Sequence, residues 1–97
     1  MPKIDNMAKE IKELTKKAEI LKAMAHPVRL CIVKNLLEVD SCNVSTIQSC
    51  LEMPQSTVSQ HLAKLKAAGI IEGERNGVEI NYSVVNDDVK KLIKAIL

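Results

Sequence analysis

Pro54-Gln55-Ser56-Thr57-Val58-Ser59-Gln60-His61-Leu62-Ala63-Lys64-Leu65-Lys66-Ala67-Ala68-Gly69 is the most informative run in this chain. Val58, Leu62 and Leu65 recur at i, i+4 and i+7, the spacing that aligns side chains along one side of an α-helix. Ser56, Ser59, Gln60, Ala63 and Lys64 fall on the opposite side, and no carboxylate occurs between Pro54 and Gly69. One side suits a core and the other can approach a polyanion. Pro54 fits the first turn of a helix, where a missing N–H costs nothing, and Gly69 supplies the left-handed residue that follows many helix ends. Most surface helices have a polar face, so this pattern alone leaves an ordinary amphipathic helix open. The preceding run, Val44-Ser45-Thr46-Ile47-Gln48-Ser49-Cys50-Leu51, predicts a short helix with Ser45 and Gln48 as its capping box. Joined through Glu52-Met53-Pro54, the two make a helix-turn-helix over residues 45–69.

Upstream, Ile4, Met7, Ile11, Leu14, Ala18, Leu21 and Ala25 alternate steps of three and four, an a/d seam on a long first helix. A helix lying on its own core shows a wider stripe, so the narrow seam favours a second helix as partner, with the intramolecular arrangement as the alternative. His26-Pro27 interrupts this helix, because the residue before proline is pushed out of the α region. Val28, Leu30, Cys31, Ile32, Val33, Leu36 and Leu37 then wrap apolar character nearly all round a second helix, which predicts a central, buried element carrying Cys31 inside it. His26 is expected at the helix boundary. Arg29 could meet a phosphate or a carboxylate. Glu38-Val39-Asp40-Ser41-Cys42-Asn43 is a polar connection.

Downstream, Ile70 to Arg75 and Val78 to Val84 flank Asn76-Gly77, a type I′ hairpin signal that places a wing at residues 70–84. A two-residue loop there sets Arg75 opposite Val78, Gly73 opposite Ile80, Ile71 opposite Tyr82 and Glu74 opposite Glu79. The last pairing puts like charges across the ladder. Asp87-Asp88 opens a last helix, acidic where the helix dipole favours acid, with Val89, Leu92, Ile93 and Ile96 as its apolar stripe.

A chain of 97 residues fits one domain, residues 1–97, and buries only a modest share of its surface, which favours a second copy. No apolar run approaches membrane-spanning length and the lysine-rich start lacks a signal-peptide core, so a cytoplasmic protein without a membrane partner is expected. The three cysteines, without CxxC spacing, argue against a secreted disulfide framework. A net charge of +2 identifies no partner by itself. With no Phe, no Trp and Tyr82 alone, there is no platform on which unstacked bases could rest, so a duplex suits this chain better than a single strand. No Ser/His/Asp ordering, HExxH motif or phosphate-cradling glycine loop is present, and His61 is expected to be a packed histidine. We therefore expect no enzyme, no cofactor and no identifiable small-molecule ligand.

Leu21-Lys22-Ala23-Met24-Ala25-His26-Pro27-Val28-Arg29-Leu30, Pro54 through Leu62, Gly69-Ile70-Ile71 and Ile80-Asn81-Tyr82-Ser83, in that order, resemble the ArsR/SmtB family of winged-helix repressors. The resemblance spans about residues 18 to 90, and is greatest to the small virulence-gene repressors of that family. It implies a mainly α winged helix-turn-helix with a small β-hairpin: four helices, two strands, a fifth helix. It further implies a homodimer joined through its first and last helices, on double-stranded DNA. Gln and Ser can address base edges while Lys neutralises phosphate. Gln55, Ser56, Ser59 and Gln60 are accordingly the candidates for bases, Thr57 and Lys64 for backbone, and Arg75 with Asn76 for the wing.

The chain departs from the family in three respects. Where many members carry a Cys-x-Cys metal pair, this sequence has Asn43 and Ser45, and one neighbouring thiolate at Cys42 makes no soft-metal cage. The last helix has no histidine for the other common metal site, so no metal is expected. Glu72, Glu74 and Glu79 make the wing acidic, which restricts DNA contact to its tip. Cys42 and Cys50, in a loop and at a helix end, are candidates for a thiol-redox response, although cysteine-sensing relatives use a last-helix thiol that is missing here. A protein-interaction module on the same fold is the other alternative.

Overall fold

In the computed structural model, residues 6–97 are described and form five helices and a three-stranded antiparallel sheet: α1 Met7–Met24, α2 Pro27–Val39, β1 Cys42–Asn43, α3 Val44–Leu51, α4 Gln55–Ala67, β2 Ile71–Asn76, β3 Glu79–Val84 and α5 Asp87–Ile96. The fold is a winged helix-turn-helix, mainly helical as expected, but with one strand more than the hairpin. Cys42 pairs with Tyr82 and Asn43 with Asn81, so the supposed polar connection is a short edge strand and the sheet order is β1-β3-β2. Two residues are too few for any periodic signal.

The core gathers Ile32, Val33 and Leu36 of α2, Val58, Leu62 and Leu65 of α4, and Ile70 and Ile71 leading into β2. Val84, Val89 and Ile93 close it from β3 and α5. The second helix is central but not buried all round, because Cys31 and Val39 are exposed on its other side. Among the described residues, Arg29 meets a backbone carbonyl and an imidazole in place of a carboxylate. It is buried, its Nε donates to the Ala23 carbonyl at 2.6 Å, and its Nη1 lies 3.3 Å from His61 Nδ1. His26 does mark the boundary: its Nδ1 accepts the Val28 N–H and caps α2.

Along α1 only Ile20, Ala23 and Met24 turn toward the core. Met7, Ile11, Leu14 and Leu21 of the predicted seam remain between 54% and 66% exposed, so the seam is not the face that packs on its own domain. Ile4 lies outside the described residues. The molecule is 51 Å long and 23 × 22 Å across, with a radius of gyration of 15.5 Å, against roughly 13 Å for a compact chain of this length. An exposed ion pair from Lys17 to Asp88 links α1 to α5 and holds the Asp88 carboxyl below its usual range through that hydrogen bond.

The cap of α3 is Asn43, whose Oδ1 accepts the Thr46 N–H at 2.8 Å, and not the Ser45–Gln48 box. Glu52 ends this helix in the left-handed region at φ 55°, and Pro54 becomes the N-cap of α4 instead of its first residue. The wing has a different register from the expected one. Asn76 pairs with Glu79, Arg75 with Ile80, Glu74 with Asn81, Gly73 with Tyr82, Glu72 with Ser83 and Ile71 with Val84. A type I′ turn on Asn76-Gly77 needs positive φ at both residues, whereas here Gly77 alone takes it, at φ 69°, as first central residue of a Gly77-Val78 loop. This register sets the buried pair Ile71 and Val84 against each other and separates Glu74 from Glu79, which removes the like-charge pairing. Both registers keep the same residues on the same faces, so the glutamates still share one side.

Candidate nucleic-acid interface

The geometry of α4 follows from its sequence. Val58, Leu62 and Leu65 are buried, which fixes the helix's rotation and leaves Gln55, Ser56, Ser59, Gln60, Ala63 and Lys64 exposed, with Thr57 half-buried at the margin. Its end is a Schellman motif: Gly69, at φ 74°, donates its N–H to the Lys66 carbonyl, and Ile70 donates to that of Leu65. Leu65 and Ile70 are both buried, so this motif turns the chain into β2 and sets the wing beside the helix.

Asn43, Ser45, Gln55, Ser59, Val78 and Tyr82, together with the carboxylate-bearing Glu79, line a groove of about 260 Å³ between the helix-turn-helix and the wing. Two predicted residues, Gln55 and Ser59, are thereby brought together with wing residues. Arg75 and Asn76 are exposed but do not line it, since the corrected register moves the loop one residue along to Gly77-Val78. Arg75 shares its ladder face with Gly73 and Ile80, away from the glutamates, while Asn76 sits directly across from Glu79. Ser45, read in the sequence as a cap residue, and Val78, read as a strand residue, also line this groove. Val78 is 97% exposed at the tip, and a positive φ assigned to Gly77 alone would have signalled it.

Beneath this surface His61 packs as expected, its ring 4.7 Å from that of His26 at 49°. Burial holds its pKa below 6.5, helped by His26, Arg29 and Lys64. A neutral ring with Nδ1 as acceptor suits the guanidinium of Arg29, which is always charged. The cluster joins the end of α1, the start of α2 and the buried side of α4. Its contacts tie these three helices together. Among the described residues, no three His, Cys, Asp or Glu side chains stand close enough to hold a metal ion, and no described helix is long and apolar enough to cross a membrane.

Residues 26–72 match the helix-turn-helix of the bacterial regulatory protein, arsR family. The transcriptional repressor PagR of Bacillus anthracis is 45% identical over 87 residues, 90% of this chain and 87% of PagR. The chain belongs to the ArsR family. It is a DNA-binding transcriptional regulator and not an enzyme, and its likeness to the small PagR-type repressors agrees with the motifs quoted above. The crystal structure of PagR superposes with a TM-score of 0.81 at 44% identity, covering 89% of this chain and 98% of that one. The repressor SmtB of Mycobacterium tuberculosis is 43% identical over 75 residues, 77% of this ArsR-family chain and 55% of SmtB.

Proposed function

We propose that this chain is a cytoplasmic homodimeric repressor that sets two copies of α4 in successive major grooves of a near-palindromic operator and blocks polymerase there. Gln55, Ser56, Ser59 and Gln60 address base edges or their neighbours, Thr57 and Lys64 meet phosphate, and Arg75 with Asn76 touches the backbone or minor groove beside the wing tip. One observation carries the reading: the exposed side of α4 bears Gln, Ser and Lys and no carboxylate, above a side anchored by Val58, Leu62 and Leu65. The dimer is supported by the uncovered seam on α1 and by exposed Ile96 and Leu97 at the end of α5. Uncovered apolar side chains of this kind mark interfaces where they gather into a patch.

Binding of the purified chain to genomic DNA fragments that it selects tests the assignment. Gln60→Ala should weaken binding by about 1–3 kcal/mol and relax preference at one base pair, while Lys64→Ala should weaken all sequences alike and lower the salt slope by about 1. Unchanged affinity in both variants would refute the assigned face.

A further inference from the structure

A second groove, of about 300 Å³, lies between α2, β1 and α3 and shares no residue with the DNA-facing surface. Cys31, Cys42 and Cys50, all the cysteines of the chain, line it from three different elements, over a floor that includes Ile32, Leu36 and Ile47. We propose that this groove is an effector site for a small, uncharged, apolar molecule bearing a soft electrophilic carbon, such as an α,β-unsaturated ketone, and that Cys31 is the nucleophile.

Three features select this class. No charged side chain lines the groove, and its polar side chains besides the thiols are the Asn35 amide and the Thr46 hydroxyl, so a charged ligand would lose its hydration without a counter-ion. The three sulfurs border a cavity instead of converging on one point: no three potential ligands among the described residues are close enough to share a metal ion. An extended organic molecule can reach thiols so spread, and a compact ion cannot. The thiols are also free, with Cys31 and Cys50 exposed. Cys31 is singled out because its Sγ accepts a hydrogen bond from Asn35 Nδ2 at 3.4 Å, while the same amide donates to the Cys31 carbonyl at 2.8 Å. That amide therefore holds the Cys31 side chain at the lining of the groove.

In the reaction the sulfur electron pair forms a bond to the β-carbon, and the C=C π pair moves to the carbonyl oxygen as an enolate. The proton given up by the thiol ends on the α-carbon. No oxidant is needed, and the protein gains the whole mass of the reagent. Ile47 belongs both to the floor of this groove and to the core, and α3 packs on α4, so an adduct wedged between α2 and α3 displaces the recognition helix. That consequence rests on the DNA-binding reading, whereas the adduct does not.

The test treats the reduced full chain with cyclohexenone and, separately, with the polar acceptor acrylamide, and follows intact mass and peptide maps. Each rate is divided by the same reagent's rate with glutathione. Cys31 should be the labelled residue, with cyclohexenone favoured about tenfold, the factor expected from sheltering two methylene groups. Cys31→Ser should abolish the preference. Equal normalised rates, or labelling of Cys42 or Cys50 with Cys31 untouched, would overturn the site. The labelled protein should bind its DNA about fivefold or more weakly. Equal affinity before and after labelling would overturn the effector role. Failure of the unlabelled protein to bind any DNA would count against the repressor reading and leave the labelling result to decide the site.

Discussion

Arg29 shows how a charged residue can belong to a core. Its guanidinium ties the Ala23 carbonyl near the end of α1 to His61 of α4, so its loss would leave that carbonyl without this donor and His61 without its neighbour. Arg29→Met should cost about 1.5–3 kcal/mol in denaturant unfolding, the range for hydrogen bonds made by charged groups. His61 gives a prediction in pH. Its pKa is lower in the folded state than the ordinary 6.5, so the unfolded chain binds the proton more readily. The stability that the neutral ring contributes is present above 6.5 and is lost as the pH falls through the lower folded value. His61→Gln, which keeps an acceptor for Arg29, should therefore lose less stability than the native chain when acidified through that range. Equal losses would show that His61 does not carry the effect.

Among the elements, α4 was legible in the sequence because its period, its proline and its glycine all agree, and each buried residue falls where the pattern puts it. The exposed side of α4 was legible for the same reason, since fixing the buried side fixes the other. The wing's existence was legible and its register was not, because Asn-Gly is a signal for two turns that differ by one residue. Long-range burial of Ile71 against Val84 chose between them. β1 left no signal, since it exists only by pairing with Tyr82 and Asn81 on β3. The partly exposed α2 misled for a related reason: its second apolar side lines a groove instead of a core, and composition cannot distinguish the two. The register makes its own prediction. A Cβ on Gly73 would stand 2.8 Å from Ile80 Cγ2 and 3.0 Å from Tyr82 Cε1. Gly73→Ala should therefore destabilise the fold by about 1–3 kcal/mol, as overpacking does. A thermal midpoint equal to that of the native chain would argue against the close approach of the Tyr82 ring.

At the scale of the molecule, the long α1 carries an apolar seam that its own domain leaves uncovered, and α5 ends in exposed Ile96 and Leu97. Leu14→Glu and Leu21→Glu together should convert the proposed dimer to a monomer in sedimentation equilibrium while leaving the buried core of each domain intact. A dimer that survives both changes would place the interface elsewhere. In the proposed complex, dimer and DNA site are linked, because one α4 would read one half-site and only the pair would span a palindrome. Hydroxyl-radical footprinting of the native chain on a DNA fragment that it selects addresses both at once. We predict two protected patches with centres about one helical turn, ~34 Å, apart, both weakened by Lys64→Ala. A single patch, or protection indifferent to Lys64, would contradict the account.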